Sequence, residues 1–277
     1  KNRQDVLTIS FDEKSSVAGA FTQSQMLAAP VQICQKNLKN GYAKGLVVNA
    51  GIANSYTGKI GVKNAKSMTN AYSKLLNCRQ KDIYVCSTGV IGEQLPINKT
   101  LKSIKKSING KPKDFKSAAK SIMTTDTFPK GSGKVIKIDG IDIAISGIAK
   151  GSGMIAPNMA TMLAFIFTDA SIDHKLFQTL INLGLRDSFN AITVDGDTST
   201  NDTLLAFATG KAMNNEGVKP FKKIGDKRLG KFREALEEVM LDLAIQIVKD
   251  GEGARKLLQV VVNGATNAKS AKKVARS

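Results

Sequence analysis

Residues 150–165 read KGSGMIAPNMATMLAF, and Thr161 stands where small residues give way to an apolar run. A threonine hydroxyl is a weak nucleophile unless a base adjoins it. The chain has one histidine, His174, next to Asp173 at an expected helix start, where a capping or surface role suits it. A Ser-His-Asp triad would have to use that residue, and nothing around it suggests a site. One arrangement needs no histidine. Thr161 becomes a chain N-terminus, and its own α-amine, with an ordinary pKa of about 7.7–8.0, serves as the base. The Ala160–Thr161 peptide must then break. The hydroxyl attacks the carbonyl of Ala160, the amide shifts to an ester, and water opens the ester. Gly151 and Gly153 allow a tight, strained approach, and neither is expected to tolerate a bulky side chain. On this stretch alone, a threonine that merely starts a strand is the simpler reading.

Other residue patterns point to other chemistries. ITVDGDTSTND (192–202) is the most polar loop in an apolar context. An apolar strand followed by Asp195-x-Asp197 resembles the opening of haloacid-dehalogenase-type phosphotransferases, with Asp195 as nucleophile and a magnesium ion between carboxylates. That motif normally begins its domain, and here more polar residues follow. A loop that satisfies its own backbone through Asp, Ser and Thr side chains fits better. Gly151-x-Gly153 lacks the third glycine and the lysine-serine pair of a nucleotide loop. Cys34, Cys78 and Cys86 are odd in number, widely spaced and without a CxxC pair, so neither a zinc site nor a disulfide framework is expected. No metal is expected, and a reducing, cytoplasmic compartment fits the thiols.

The formal net charge is +18. Only 7 of the 41 basic residues are arginine, tryptophan is absent and aromatics are 5%. Nucleic-acid readers lean on arginine forks and aromatic stacking, so a basic nucleic-acid-binding protein is the weaker reading. The densest basic run, 99–120, places Leu101, Ile104 and Ile108 on one helical face, with lysines filling the rest as a solvated surface. No apolar window approaches ~18 residues, so no membrane span is expected.

These residues must be positioned by elements that alternate in type. Strands are expected at 45–51, 82–89, 161–170 and 257–265, and 191–210 reads as a strand, a polar loop and then an apolar stretch. Helices are expected at 65–77, 174–189 and 226–249, the last with Phe232, Leu236, Val239, Leu243 and Ile247 on one face. Residues 134–153 form an expected hairpin turning at Asp139-Gly140. The mixture is α/β, with hairpins that exclude a purely parallel sheet. Residues 214–226 are the best candidate for an internal boundary.

Six segments then occur in order: NAGIANSYTG (49–58), STGVIGEQLP (87–96), MTTDTFPK (123–130), AKGSGMIAPNMATMLAF (149–165), ITVDGDTSTNDT (192–203) and KDGEGARK (249–256). Together they resemble the glutamate N-acetyltransferase/ornithine acetyltransferase family of arginine biosynthesis, essentially from end to end. The resemblance implies an α/β fold of layered sheets flanked by helices, shared with related N-terminal-nucleophile aminopeptidases. It implies self-cleavage between Ala160 and Thr161, giving an α chain of residues 1–160 and a β chain from 161. Thr161 would then carry an acetyl group from N2-acetylornithine to glutamate, with acetyl-CoA as a further candidate substrate and no other cofactor.

The same resemblance implies an oxyanion hole at Thr88 and Gly89, and substrate contacts from Thr127, Lys150, Thr161 and Glu252. It also implies a heterotetramer of two α and two β chains, with no nucleic-acid or membrane partner. Ile52 departs from the family, where asparagine is more common. Family members also continue beyond residue 277, and that stretch normally adds an asparagine and a serine or threonine to the substrate site. An amidohydrolase on the same scaffold, with water as acceptor, is the enzymatic alternative.

Overall fold

A computed structural model describes residues 5–111, 113–155 and 162–276. Ala160 and Thr161 lie outside the described residues. Seven strands form one mixed sheet: β1 (Val6–Phe21), β2 (Tyr42–Ile52), β3 (Ile83–Val90), β4 (Lys130–Ile138), β5 (Ile141–Lys150), β6 (Leu163–Thr168) and β7 (Thr203–Ala208), in spatial order β3-β2-β1-β7-β6-β5-β4. The pairs β2–β3 and β6–β7 are parallel and the other four antiparallel. Helices α1 (Ala29–Leu38), α2 (Gly58–Leu75), α3 (Ile97–Ser107) and α4 (Phe115–Ile122) are joined later in the chain by α5 (His174–Arg186), α6 (Lys211–Asn215), α7 (Leu229–Lys249) and α8 (Ala268–Arg276).

The apolar side chains fall into two cores, one on each face of the sheet. One core gathers Phe177, Leu180 and Ile181 of α5 with Phe232, Leu236, Val239, Leu243 and Ile247 of α7, the stripe expected from the sequence. The other gathers Cys34 of α1, Met68 and Tyr72 of α2, and Ile104 of α3. The central strands β6 and β7 are covered on both sides, whereas β4 at the edge is largely exposed. This is why LAFIFT in β6 and TLLAFA in β7 read as unbroken apolar runs rather than alternating ones. The layered α/β expectation is met by this helix–sheet–helix arrangement.

Local chemistry explains the boundaries. Asp139 and Gly140 take positive φ values of 49° and 85°, the turn geometry that joins β4 to β5. The Asp173 carboxylate caps α5 by accepting the N–H groups of Lys175 (2.9 Å) and Leu176 (3.3 Å). In α3 only Thr100 and Ile104 are buried; its lysines face solvent, as the spacing suggested. His174 is half-buried and packs on Tyr42, their ring centroids 5.7 Å apart. Phe221, within 214–226, is wholly buried in the α5–α7 core.

Two expectations fail. Residues 191–194 carry no strand. Their backbone serves the loop described below: Val194 N–H bonds to the carbonyl of Ile155 at 2.7 Å. Residues 257–265 are also not a strand. Leu258 is 81% exposed and Val261 67%. An apolar β-rich sequence becomes a strand only when a neighbour supplies the ladder, and no strand among the described residues pairs with it. β1 and α1 were not anticipated. The charged DEK stretch of β1 obscures its periodicity, and its pairing register with β2 shifts between Ser10 and Ser15.

The three thiols are free. Among the described residues no helix is long and apolar enough to cross a membrane. Phe207 is fully buried in β7 against Phe11, Tyr84 and Phe167. Phe207→Ala is expected to lower unfolding stability by about 3–5 kcal/mol, read as a reduced denaturant midpoint with the m-value unchanged.

Candidate active site

Thr88 and Gly89 lie near the end of β3, at the parallel pairing with β2. Gly89 has φ +129°, and a Cβ built there would sit 2.1 Å from the carbonyl carbon of Gly51. Only glycine fits so close a backbone approach. Thr88 and Gly89 line a cleft together with Met154, Met162, Ser199, Asn201 and Asp202. Met162 is bonded to Thr161, so the chain just after the expected nucleophile lines the cleft beside the two residues expected to hold an oxyanion.

The loop 192–202 builds the cleft's other wall from side chains that bond to backbone. Asp195 accepts the N–H groups of Met154 and of Ile155 (2.8 Å) and turns back to its own loop at Asp197 N–H (3.1 Å). Asn201 donates to the carbonyls of Ala53 (2.7 Å) and Ser87 (2.9 Å), pinning the turn after β2 and the strand that carries Thr88. Asp202 accepts Met162 N–H at 2.9 Å. With Asp195 committed to backbone donors, the loop reading of this stretch holds over the phosphotransferase one. Among the described residues no cluster of His, Cys, Asp or Glu could hold a metal ion.

A second group of side chains surrounds a buried charge network. Lys130 Nζ donates to Asp126 Oδ1 at 2.7 Å and to Asp250 Oδ2 at 2.5 Å, and all three side chains are buried. Asp250 also accepts the N–H and the hydroxyl of Thr127. Asp126 accepts Gly151 N–H at 2.7 Å and Thr124 N–H at 2.9 Å. Lys150 ends β5, buried, with Nζ donating to Thr124 Oγ1 at 2.7 Å and 3.7 Å from Asp126 Oδ2.

Burial alone would raise the Asp126 carboxyl, but the charges of Lys150 and Lys130 outweigh it and hold the group below its usual range. Burial pulls the Lys150 ammonium down, and the Asp126 carboxylate opposes this. Glu252 follows Asp250 by two residues. Its N–H donates to the carbonyl of Ser152 at 2.6 Å, and a Cβ on Gly153 would meet its Oε2 at 2.4 Å. That contact is with the far end of an exposed, flexible side chain, so Glu252 can move aside and the space at Gly153 does not by itself require glycine.

This geometry places Thr127, Lys150 and Glu252 around one network, and Thr88 and Gly89 in the cleft with Met162. Segment 151–155 touches both: Ser152 bonds to Glu252, and Met154 lines the cleft. Thr161 and Ala160 lie outside the described residues. Sequence reasoning missed Asp126, Lys130, Asp250, Asn201 and Asp202. All five fall inside segments singled out in the sequence, but nothing there marks which polar residues are buried.

The model of the ArgJ family matches residues 1–277. The chain belongs to the ArgJ family. An arginine biosynthesis bifunctional protein ArgJ from Rhizobium meliloti is 48% identical over 278 residues, covering 100% of this chain and 67% of that protein. The protein of the same name from Caulobacter vibrioides is 50% identical, covering 99% of this chain and 68% of its own length. Among solved structures, the L-aminopeptidase D-Ala-esterase/amidase of Ochrobactrum anthropi, described as a variant of the Ntn hydrolase fold, aligns with TM-score 0.53 over 91% of this chain and 80% of its own. At 12% identity it shares the fold alone.

In this ArgJ chain, Lys130→Met is expected to leave two buried carboxylates facing each other without their cation. It should cost about 3–5 kcal/mol, measured by chemical unfolding. Asp126 is held below its unfolded-state value, so its contribution is present above that value and lost as pH falls through the folded one. Native stability should therefore drop as pH goes below about 4. Asp126→Asn should flatten that part of the stability–pH curve.

Proposed function

We propose that this chain is a self-processing acetyltransferase of arginine biosynthesis. It cleaves between Ala160 and Thr161, giving an α chain of residues 1–160 and a β chain that begins at 161. Thr161 accepts the acetyl group of N2-acetylornithine, releases ornithine and passes the acetyl to glutamate. The reading is carried by one observation: the cleft sets Thr88 and Gly89 beside Met162, the residue bonded to Thr161. Membership of the ArgJ family agrees with it.

In that cleft the α-amine of Thr161 takes the hydroxyl proton as Oγ attacks the acetyl carbonyl. Thr88 and Gly89 stabilise the tetrahedral oxyanion, at a few kcal/mol per donor. Collapse expels ornithine, which leaves with the proton held by the amine. Glutamate's amine then attacks the acetyl-threonine by the reverse steps. Lys150, a buried cation, suits the substrate carboxylate, and Glu252 suits the distal ammonium of ornithine. Thr127, whose N–H is fixed on Asp250, is the third proposed substrate contact. Acetyl-CoA is an alternative acetyl donor. The active form is a cytoplasmic heterotetramer of two α and two β chains, with no nucleic acid or membrane bound.

Denatured intact mass should show two fragments divided at 160/161. Thr161→Ala should leave the chain whole and abolish acetyl transfer, whereas Thr161→Ser should retain part of both. With labelled N2-acetylornithine, acetylglutamate should form in the presence of glutamate. Free acetate released equally fast with and without glutamate would establish a hydrolase instead.

A further inference from the structure

Among the described residues β3 is a terminal strand of the sheet, with β2 on one side and no strand on the other. Alternate residues of a strand turn their backbone groups to the same side. On the outer side of β3 those groups are met by side chains. Asn37 Nδ2 donates to the carbonyl of Ile83 at 3.0 Å. Cys34 Sγ donates to the carbonyl of Val85 at 3.1 Å and accepts its N–H at 3.4 Å. Asn201 Nδ2 donates to the carbonyl of Ser87 at 2.9 Å. The next residue on this edge is Gly89, which lines the cleft with Thr88.

Pairing with β2 does not fix this end of β3 by itself. The register runs evenly from Gly45–Ile83 to Gly51–Gly89 and then breaks at Ile52, which pairs with both Thr88 and Val90. Asn201 supplies a second hold. Its amide nitrogen also donates to the carbonyl of Ala53 at 2.7 Å, so one group ties the end of β3 to the turn after β2. The amide is itself held in place. Its Oδ1 accepts the Thr200 hydroxyl at 2.7 Å, and Thr200 Oγ1 lies 2.8 Å from Ser55 Oγ. The backbone on either side is anchored, with Ala28 N–H on the carbonyl of Thr200 at 3.0 Å and Thr22 N–H on that of Asp202 at 2.9 Å. Ser87 is gripped from its side chain too: its hydroxyl donates to Asn49 Oδ1 at 2.6 Å, and Asn49 Nδ2 donates to the carbonyl of Ile52 at 2.8 Å.

We propose that Asn201 is a positioning residue of acetyl transfer: its side-chain amide stands in for the missing strand at the end of β3 and sets where Thr88 and Gly89 meet the oxyanion. This deepens the function proposed above and rests on it. The peptide group supplies the link. A planar trans peptide holds the carbonyl of Ser87 and the N–H of Thr88 rigidly opposed, so fixing the carbonyl fixes the plane from which the chain runs on to Gly89. Asn201 is not itself an oxyanion donor, because both of its amide hydrogens are taken by the carbonyls of Ser87 and Ala53. The oxyanion exists only after the hydroxyl has attacked. A displacement of its donors is therefore felt in the transition state and not in the binding of substrate.

Asn201→Ala and Asn201→Gln test this in the full chain, with Thr88→Ala as the reference. Acetyl transfer from N2-acetylornithine to glutamate is measured at steady state and referred to the fraction of chains that has matured, counted by intact mass. In Asn201→Ala kcat should fall about 100-fold, with KM for N2-acetylornithine unchanged. Asn201→Gln keeps the amide on a longer arm and should recover part of that loss. Combining Asn201→Ala with Thr88→Ala should be little worse than the poorer single variant, because both act through one oxyanion. A native kcat in matured Asn201→Ala overturns the proposal, as does a loss confined to KM or a double variant whose losses multiply. If Asn201→Ala does not fold or mature, a native kcat in Asn201→Gln overturns it. Failure of both variants to fold or mature assigns Asn201 to stability and overturns it as well. A native chain that transfers no acetyl group overturns the function proposed above, and this proposal with it. Native transfer that neither variant slows overturns this proposal alone.

Discussion

The ammonium of Lys130, closed between the carboxylates of Asp126 and Asp250, ties together three parts of the chain that are remote in sequence. One is the 124–130 segment, one is the end of β5 with Gly151, and one is the turn after α7. None of these would hold its position by apolar packing, because each is a chain terminus of an element with polar backbone to satisfy. A buried ion pair adds little net stability over an apolar substitute, since desolvation offsets the attraction. What it adds here is direction. Each carboxylate oxygen has assigned partners, so Thr127 and Lys150 are held in one relation to each other, while Glu252 is tied in only through its backbone bond to Ser152.

The 192–202 loop does for the cleft what that network does for the substrate side. Its acceptors and donors are aimed at backbone rather than at each other: Asp195 at Met154 and Ile155, Asn201 at Ala53 and Ser87, Asp202 at Met162. A polar loop buried beside an apolar sheet must satisfy its own groups and its neighbours'. Here that requirement positions both walls of the site at once. The +18 charge has no comparable role in the site. The lysines of α3 face solvent, and the buried lysines 130 and 150 are matched by acids.

Much of the fold could be read from residue pattern. The α7 stripe, the Asp139-Gly140 hairpin and the apolar run of β6 each state their element locally, because periodicity and turn chemistry are local properties, whereas the run of β7 reads only as an apolar stretch. β1 escaped because a charged stretch and a shifted register break its alternation. Residues 257–265 misled for the opposite reason: LLQVVV has strand composition, but a strand exists only through a partner, and composition carries no information about partners. The site divides the same way. Thr88, Gly89, Thr127, Lys150 and Glu252 were named through a family resemblance carried by short ordered motifs.

By itself, the sequence determined the class of chemistry open to this protein. A single histidine with no site around it leaves Thr161, the proposed nucleophile, to find another base, and an α-amine is the base a threonine can make for itself. Only the tertiary structure decided which acids and cations stand around that chemistry. Asp126, Lys130, Asp250, Asn201 and Asp202 look in the sequence like any polar residues of loops. They acquire their roles because folding removes them from water, and a polar group without water must take the partner that the fold presents to it.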